Sequence, residues 1–438
     1  MSAGLLLAEH EAAPAGPAPG QAVPRWDDAS ILTPLFQDDL IARERDGVLR
    51  LYEALTRERP LFRDANGSWV VSSFEQGCAV LSDPAYVAQP PLPAEEAAVY
   101  APILATMLLR DGDAHAALRR HFAPLFKTQR MDRLHAFMDQ DIASCVAALP
   151  ASAFDAGASL AHHLPARMAC VLMGLAPDHA PRLVALTAPV LRLISGTPLP
   201  PASMLALLQA SRVAIQALAT LMARQAPATL HYLDIDPHAL AMHALSDGTE
   251  HASCASNLCL LFVAAYTTSM LSLGNTLALA TQRPDLWTQM AREPSRIPRT
   301  VAELGRLAPA AQALQRYAAH DLTLGDVPLR AGEPVVVMVA AANRDPRAFE
   351  HPDEVDLGRH ARTLTFGAGP HGCVGVGLAR RQLGGLLAAL TSRYPRLAPL
   401  ARPSRGLQVG TFLGYDRLWL GVPAESAKAL APVRQPNA

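Results

Sequence analysis

Apolar residues recur at helical spacing through most of the first two thirds of the chain and fall into strand-length runs only later. Asp113–Phe126 predicts a helix on which His115 and Arg119, four apart, share one face. Further helices are predicted over 134–148, 156–174, 179–194 and 202–225, with a Gly/Pro-marked loop from Ser195 to Pro201. The most apolar stretch runs from about Ala252 to Gln282. Its length would suit a membrane span, but Asn257, Tyr266, Thr267, Thr268, Ser269, Ser272 and Asn275 interrupt it. A helix apolar on nearly every side belongs in a large core, so a buried central helix is predicted. Pro298 fits the start of a short helix, Arg299–Leu307.

Beyond that helix the period changes. Leu322–Leu329 and Pro334–Val339 predict short strands separated by turns, and Asn343–Pro346 and His351–Asp353 read as polar turns. A Gly-rich loop over 366–375 leads into a last long helix ending near Arg393. The expected fold class is mainly α with small β-sheets. No Pro/Gly-rich linker or repeat divides the chain, so one domain is expected over 29–427, between an Ala/Pro-rich leader (1–28) and a tail (428–438).

With half of its 438 residues apolar, the chain can bury a large core. Its net charge of -1, evenly mixed, argues against a nucleic-acid partner, which would call for a basic stripe. The six cysteines are scattered, without CxxC spacing, which disfavours a zinc site or a disulfide framework and suits a reducing cytoplasm. Leu5–Ala8 is too short an apolar run for a signal core or a membrane anchor, so a soluble cytoplasmic protein is expected.

The candidate chemistry centres on Phe366-Gly-Ala-Gly-Pro-His-Gly-Cys-Val-Gly375. Gly367, Gly369 and Gly372 let the backbone turn tightly, and Cys373 stands just before a helix. There, backbone N–H groups and the helix dipole favour a thiolate. A lone cysteine is usually a small buried hydrophobe, but the whole loop resembles the haem-binding FGxGxHxCxG loop of cytochromes P450. The resemblance implies that Cys373 is the thiolate ligand to the iron of haem b, with Phe366, Gly367 and Gly375 around the cofactor. It implies the P450 fold, a single haem-containing domain of the bacterial type.

Other stretches match the family in order. Glu303-Leu-Gly-Arg306 resembles its ExxR element, and Ala340–Phe349 its ANRDPxxF stretch. By that resemblance Glu303, Arg306 and Arg344 form a buried structural network. His115 and Arg119, Arg316 and His371 are the implied partners of the two haem propionates, whose burial requires cationic or hydrogen-bonding groups.

Aligned on Gly274-Asn275, the central helix resembles the family's oxygen-activating AGxETT helix. Ala264 and Thr268 fall on its Ala and Thr, and the Thr268 hydroxyl is expected to bond the Ala264 carbonyl and open a kink. Ala265 replaces the usual Gly and Thr267 the usual acid, and no carboxylate lies between Glu250 and Asp285. Thr267 cannot relay protons as an acid does. Protonation through water or a substrate group, a relocated acid, and a reaction without the ordinary relay all stay open.

The resemblance places Val263, Ala265, Ala311 and Phe412 in the substrate pocket, with the 86–105 loop and the 192–210 region. Their apolar character suggests a bulky hydrophobic metabolite such as a terpenoid or polyketide. The implied activity is monooxygenation with electrons from a ferredoxin and its reductase, by a monomer. Docking is expected on a rim of Arg110, Arg120, Arg359, Arg362, Arg380 and Arg381. Peroxide-driven oxygenation, an atypical reaction (ring rearrangement, desaturation or coupling), and a catalytically weak haem protein that binds a small molecule or carrier-bound intermediate are the competing readings.

Overall fold

A computed structural model describes residues 30–36, 40–126, 128–195, 201–224, 251–401, 406–415 and 417–423. The expected leader and tail, and positions 196–200 of the expected loop, lie outside the described residues.

The central helix is present as one α-helix, His251–Thr281. It packs against His163–Leu172, Ala180–Ile194 and Pro201–Arg224, and also against Ile297–Leu307, Val376–Arg393 and the strand Phe412–Tyr415. This contact on nearly all sides is why its sequence carries almost no charge. The segment Ser253–Thr281 is long and apolar enough to cross a membrane, yet most of it is buried inside the protein. Ala202–Met222 is also long and apolar enough, and less of it is buried.

Several predicted elements shift at their ends. The 113–126 helix is α over Gly112–Phe122 and then tightens into a 3-10 turn, Ala123–Phe126. The 156–174 prediction resolves into a π turn, Gly157–Ala161, and the helix His163–Leu172. The strand prediction to Val339 stops at Val337, and Val339–Ala342 forms a short helix instead. All four of those helical residues are buried, so their apolar run reflects depth and not extended backbone.

Five strands join distant parts of the chain. Leu61–Arg63 pairs antiparallel with Trp69–Val71, which lies parallel to Pro334–Val337; Leu314–Ala318 and Tyr86–Val87 complete the sheet. Leu314–Ala318 carries Arg316 on its buried face. A separate hairpin, Gly406–Val409 with Phe412–Tyr415, lies across the central helix. Its Gly414 permits that approach, since a Cβ there would sit 2.5 Å from Leu271 Cδ2.

Candidate active site

The cysteine loop is shaped by backbone that only glycine adopts easily. Gly367 and Gly369 have φ of 70° and 65°, and a Cβ on Gly369 would come 2.3 Å from the Leu81 carbonyl oxygen. The loop therefore wedges against the end of the helix Phe74–Ser82. Gly375 caps the helix Val376–Arg393, and the Cys373 amide donates to the Phe366 carbonyl at 2.8 Å. Phe366 is half-buried under the Arg380 guanidinium, 5.4 Å from its ring centroid.

Cys373 is exposed, whereas Cys170, Cys254 and Cys259 are buried and Cys78 and Cys145 partly so. Burial pushes the Cys170 and Cys259 thiols up to about 12, which leaves them inert as ligands. At Cys373 desolvation of the sulfur also wins, raising the thiol, although the Gly375 N–H and the Arg119 charge pull it down. The loop thus tunes the sulfur without ionising it unaided. Cys373 would hold the iron as a thiolate, since a coordinated metal favours the deprotonated sulfur.

Beside the loop, the expected propionate partners come together. His115, 4% exposed, stacks on His371 with ring centroids 4.2 Å apart. His371 Nε2 lies 2.9 Å from Asp111 Oδ1, and Asp111 also accepts from the amides of Ala88 and Gln89. Arg119 donates to the Pro370 carbonyl at 2.9 Å, and Arg316 is buried nearby. Burial, then His371 and Arg119, hold the His115 imidazole down at about 4, with Asp111 acting the other way and Arg316 adding the smallest push. Cationic groups crowded around a buried neutral histidine, with Asp111 as the carboxylate bonded among them, suit an added anion. The two carboxylates of haem b fit this cluster, and the Cys373 sulfur fits its iron.

Behind the loop, Arg306 makes a two-pronged bond to Glu303, at 2.9 and 2.7 Å. It also donates to the carbonyls of Asn343, Pro352 and Glu354. Arg344 is adjacent but bonds Asp353 and the Leu307 carbonyl. The second arginine on Glu303 is Arg359, at 3.1 Å. Arg359 therefore leaves the expected docking rim for the interior network, sharing the Glu303 Oε1 acceptor with Arg306 and the Asp356 amide. Of the other rim arginines, Arg120, Arg362, Arg380 and Arg381 are exposed and Arg110 is half-buried. Asn343 joins the network to the cysteine loop, accepting from Leu364 N at 2.7 Å and donating to Thr365 Oγ1 at 3.2 Å. Only an NRD-type turn motif hinted at its part.

On the central helix Thr268 Oγ1 donates to the Ala264 carbonyl at 2.6 Å, but the α-helix continues without the expected break. Ala264, Ala265, Thr268 and Ser272 are partly accessible and span about 100° of the helix surface. Val263 and Thr267 fall outside that stripe and are buried at 1% and 2%. The Thr267 hydroxyl, at the position expected for an acid, has no hydrogen-bond partner among the described residues. Ala311 and Phe412, both half-buried, meet in an antiparallel bridge. Leu413 N donates to the Ala310 carbonyl beside them, joining two segments expected to line the pocket.

The cytochrome P450 family model matches residues 236–399. The chain is 30% identical to mycinamicin IV hydroxylase/epoxidase of Micromonospora griseorubida over 365 residues, 80% of this chain and 87% of that protein. It is 28% identical to 20-oxo-5-O-mycaminosyltylactone 23-monooxygenase of Streptomyces fradiae, over 80% of this chain and 83% of that one. The crystal structure of CalO2 superposes with a TM-score of 0.77 at 25% identity, covering 89% of this chain and 98% of that chain. The chain belongs to the cytochrome P450 family and is a haem b monooxygenase.

Proposed function

We propose that this P450 oxidises a bulky, mostly hydrophobic specialised metabolite in the cytoplasm, drawing electrons from a ferredoxin and its reductase. The observation that carries the reading is the pairing of an exposed Cys373 with the cluster of buried His115 and Arg316 and partly buried Arg119 and His371 beside its loop. Bound there, haem b supplies oxygen activation and insertion of one oxygen atom into substrate. Cys373 holds the iron, with the Gly375 N–H tuning its sulfur. His115, Arg119, Arg316 and His371 neutralise the propionates. Thr268 presents a hydroxyl to the oxygen side, while Ala264 and Ala265 keep that side narrow and apolar. Ala311 and Phe412 form an apolar wall that favours hydrophobic substrates. Two relatives are named for oxidising mycinamicin IV and 20-oxo-5-O-mycaminosyltylactone, which favours large specialised metabolites here too.

The unpartnered Thr267 hydroxyl favours one second reading, oxygenation driven by hydrogen peroxide, which does not need the same proton delivery. A screen of lipophilic compounds for a Soret shift identifies a substrate. Turnover of that compound with NAD(P)H and redox proteins, and little with peroxide, is the expected result. Peroxide alone sustaining equal turnover would install the second reading. Spectral binding without product under either condition would leave a binding protein and defeat both.

A further inference from the structure

We infer that Asn257 and Asn275 are paired positioning residues that pin opposite walls of the substrate pocket to the oxygen-side helix and so help set which molecules fit. This rests on the placement of the substrate over the Ala264–Thr268 stripe.

The two asparagines are 18 residues apart, five turns of α-helix, and therefore project at the same azimuth, about 27 Å apart along the axis. That azimuth falls between those of Ala264 and Thr268, so the amides bracket the open stripe on its own face. Both side chains are buried, at 0% and 1% exposed, on a helix otherwise rich in apolar residues. Each reaches backbone from a different part of the chain. Asn257 Oδ1 accepts from Met107 N at 2.8 Å, and its Nδ2 donates to the Ala105 carbonyl at 3.3 Å. Ser253, one turn earlier, adds a bond from its hydroxyl to the same carbonyl at 2.9 Å. Asn275 Nδ2 donates to Leu413 O at 2.9 Å and to Ala308 O at 3.3 Å.

Those anchor points matter by position. Residues 105–107 follow the helix Ala94–Leu104, Leu413 adjoins Phe412, and Ala308 precedes the Ala310–Leu314 segment. Because the amides hold backbone, the wall side chains can differ while their frame stays fixed. Asn275 Oδ1 is buried without a partner among the described residues, a cost that a purely packing residue would avoid. An amide retained there is explained by the two carbonyls that its nitrogen holds.

The test uses the haem-loaded protein and two azoles that ligate haem iron, imidazole and the bulkier 4-phenylimidazole, titrated by the Soret shift. Asn257→Leu and Asn275→Leu keep the side-chain size and remove every amide bond to the wall backbone. Each should lower the affinity ratio of 4-phenylimidazole to imidazole by about tenfold, with a thiolate-type carbon monoxide spectrum retained. A merely structural role would weaken both azoles together and leave the ratio within about twofold of the parent, which overturns the inference. Should either variant fail to take up haem, Ser253→Ala and Asn275→Ser replace it, with a shift of about threefold expected and the same overturning result. If the parent protein shows no Soret response to either azole, the reading of the site itself fails, a result distinct from an unchanged ratio.

Discussion

The two sides of this site are built by opposite rules. On the cysteine side polar groups are densely cross-bonded: Glu303 binds two arginines, Arg306 reaches three further carbonyls, and Asn343 ties them to the loop. On the oxygen side the accessible stripe holds two alanines, a serine and a threonine, and the hydroxyl beside them at Thr267 is unpartnered. The proposed ligand sulfur must stay in one place, so its surroundings are over-determined. The oxygen side leaves room for water and substrate to complete the arrangement. The contrast also separates charge from chemistry, since the buried ions act on position and the reacting face carries none.

The largest effect should come from Cys373→Ala, which should abolish the thiolate-type carbon monoxide band and turnover together; a surviving band would remove Cys373 from the ligand role. Next, Arg306→Leu leaves the buried Glu303 carboxylate with Arg359 as its one remaining ion-pair partner among the described residues and should cost about 3–5 kcal/mol in denaturant unfolding. A loss below about 1 kcal/mol would mean that the cysteine side is less rigidly specified than its hydrogen bonds imply. Thr268→Ala removes the bond to Ala264 and should cut product formed per NAD(P)H severalfold while azole binding persists. Unchanged coupling would take that hydroxyl out of oxygen activation.

A smaller effect concerns pH. His115 in the haem-free chain stays neutral down to about 4, while an unfolded histidine takes up its proton near 6.5. Between those values the unfolded state binds more protons, so stability falls as pH drops from 6.5 towards 4. His115→Gln should flatten that slope in urea unfolding at pH 7 and pH 5; an identical slope would deny the cationic crowding. Smallest of all, Thr267→Val replaces an unbonded buried hydroxyl with a methyl and should change stability by no more than about 1 kcal/mol. It should also disturb coupling less than Thr268→Ala does. The reverse order would restore Thr267 to proton delivery.

The ligand loop was legible because its chemistry is local: glycines with positive φ, a histidine and a cysteine must follow one another within ten residues. Helical periodicity likewise marked the central helix, and Thr268 with its partner Ala264 lies one turn apart on it. What escaped were contacts across sequence distance. Arg359 sits 56 positions from Glu303 and reads as one surface arginine among many. Asn257 and Asn275 look like mere interruptions of an apolar run until Met107 and Leu413 are seen against them.

The sequence alone therefore determined the family and the cofactor class, since both depend on residue types at short fixed spacings. Tertiary structure decided which arginines are buried, that Thr267 turns away from the open stripe, and which backbone segments the buried asparagines hold. Those depend on burial and on pairs brought together by folding, and no local spacing encodes either.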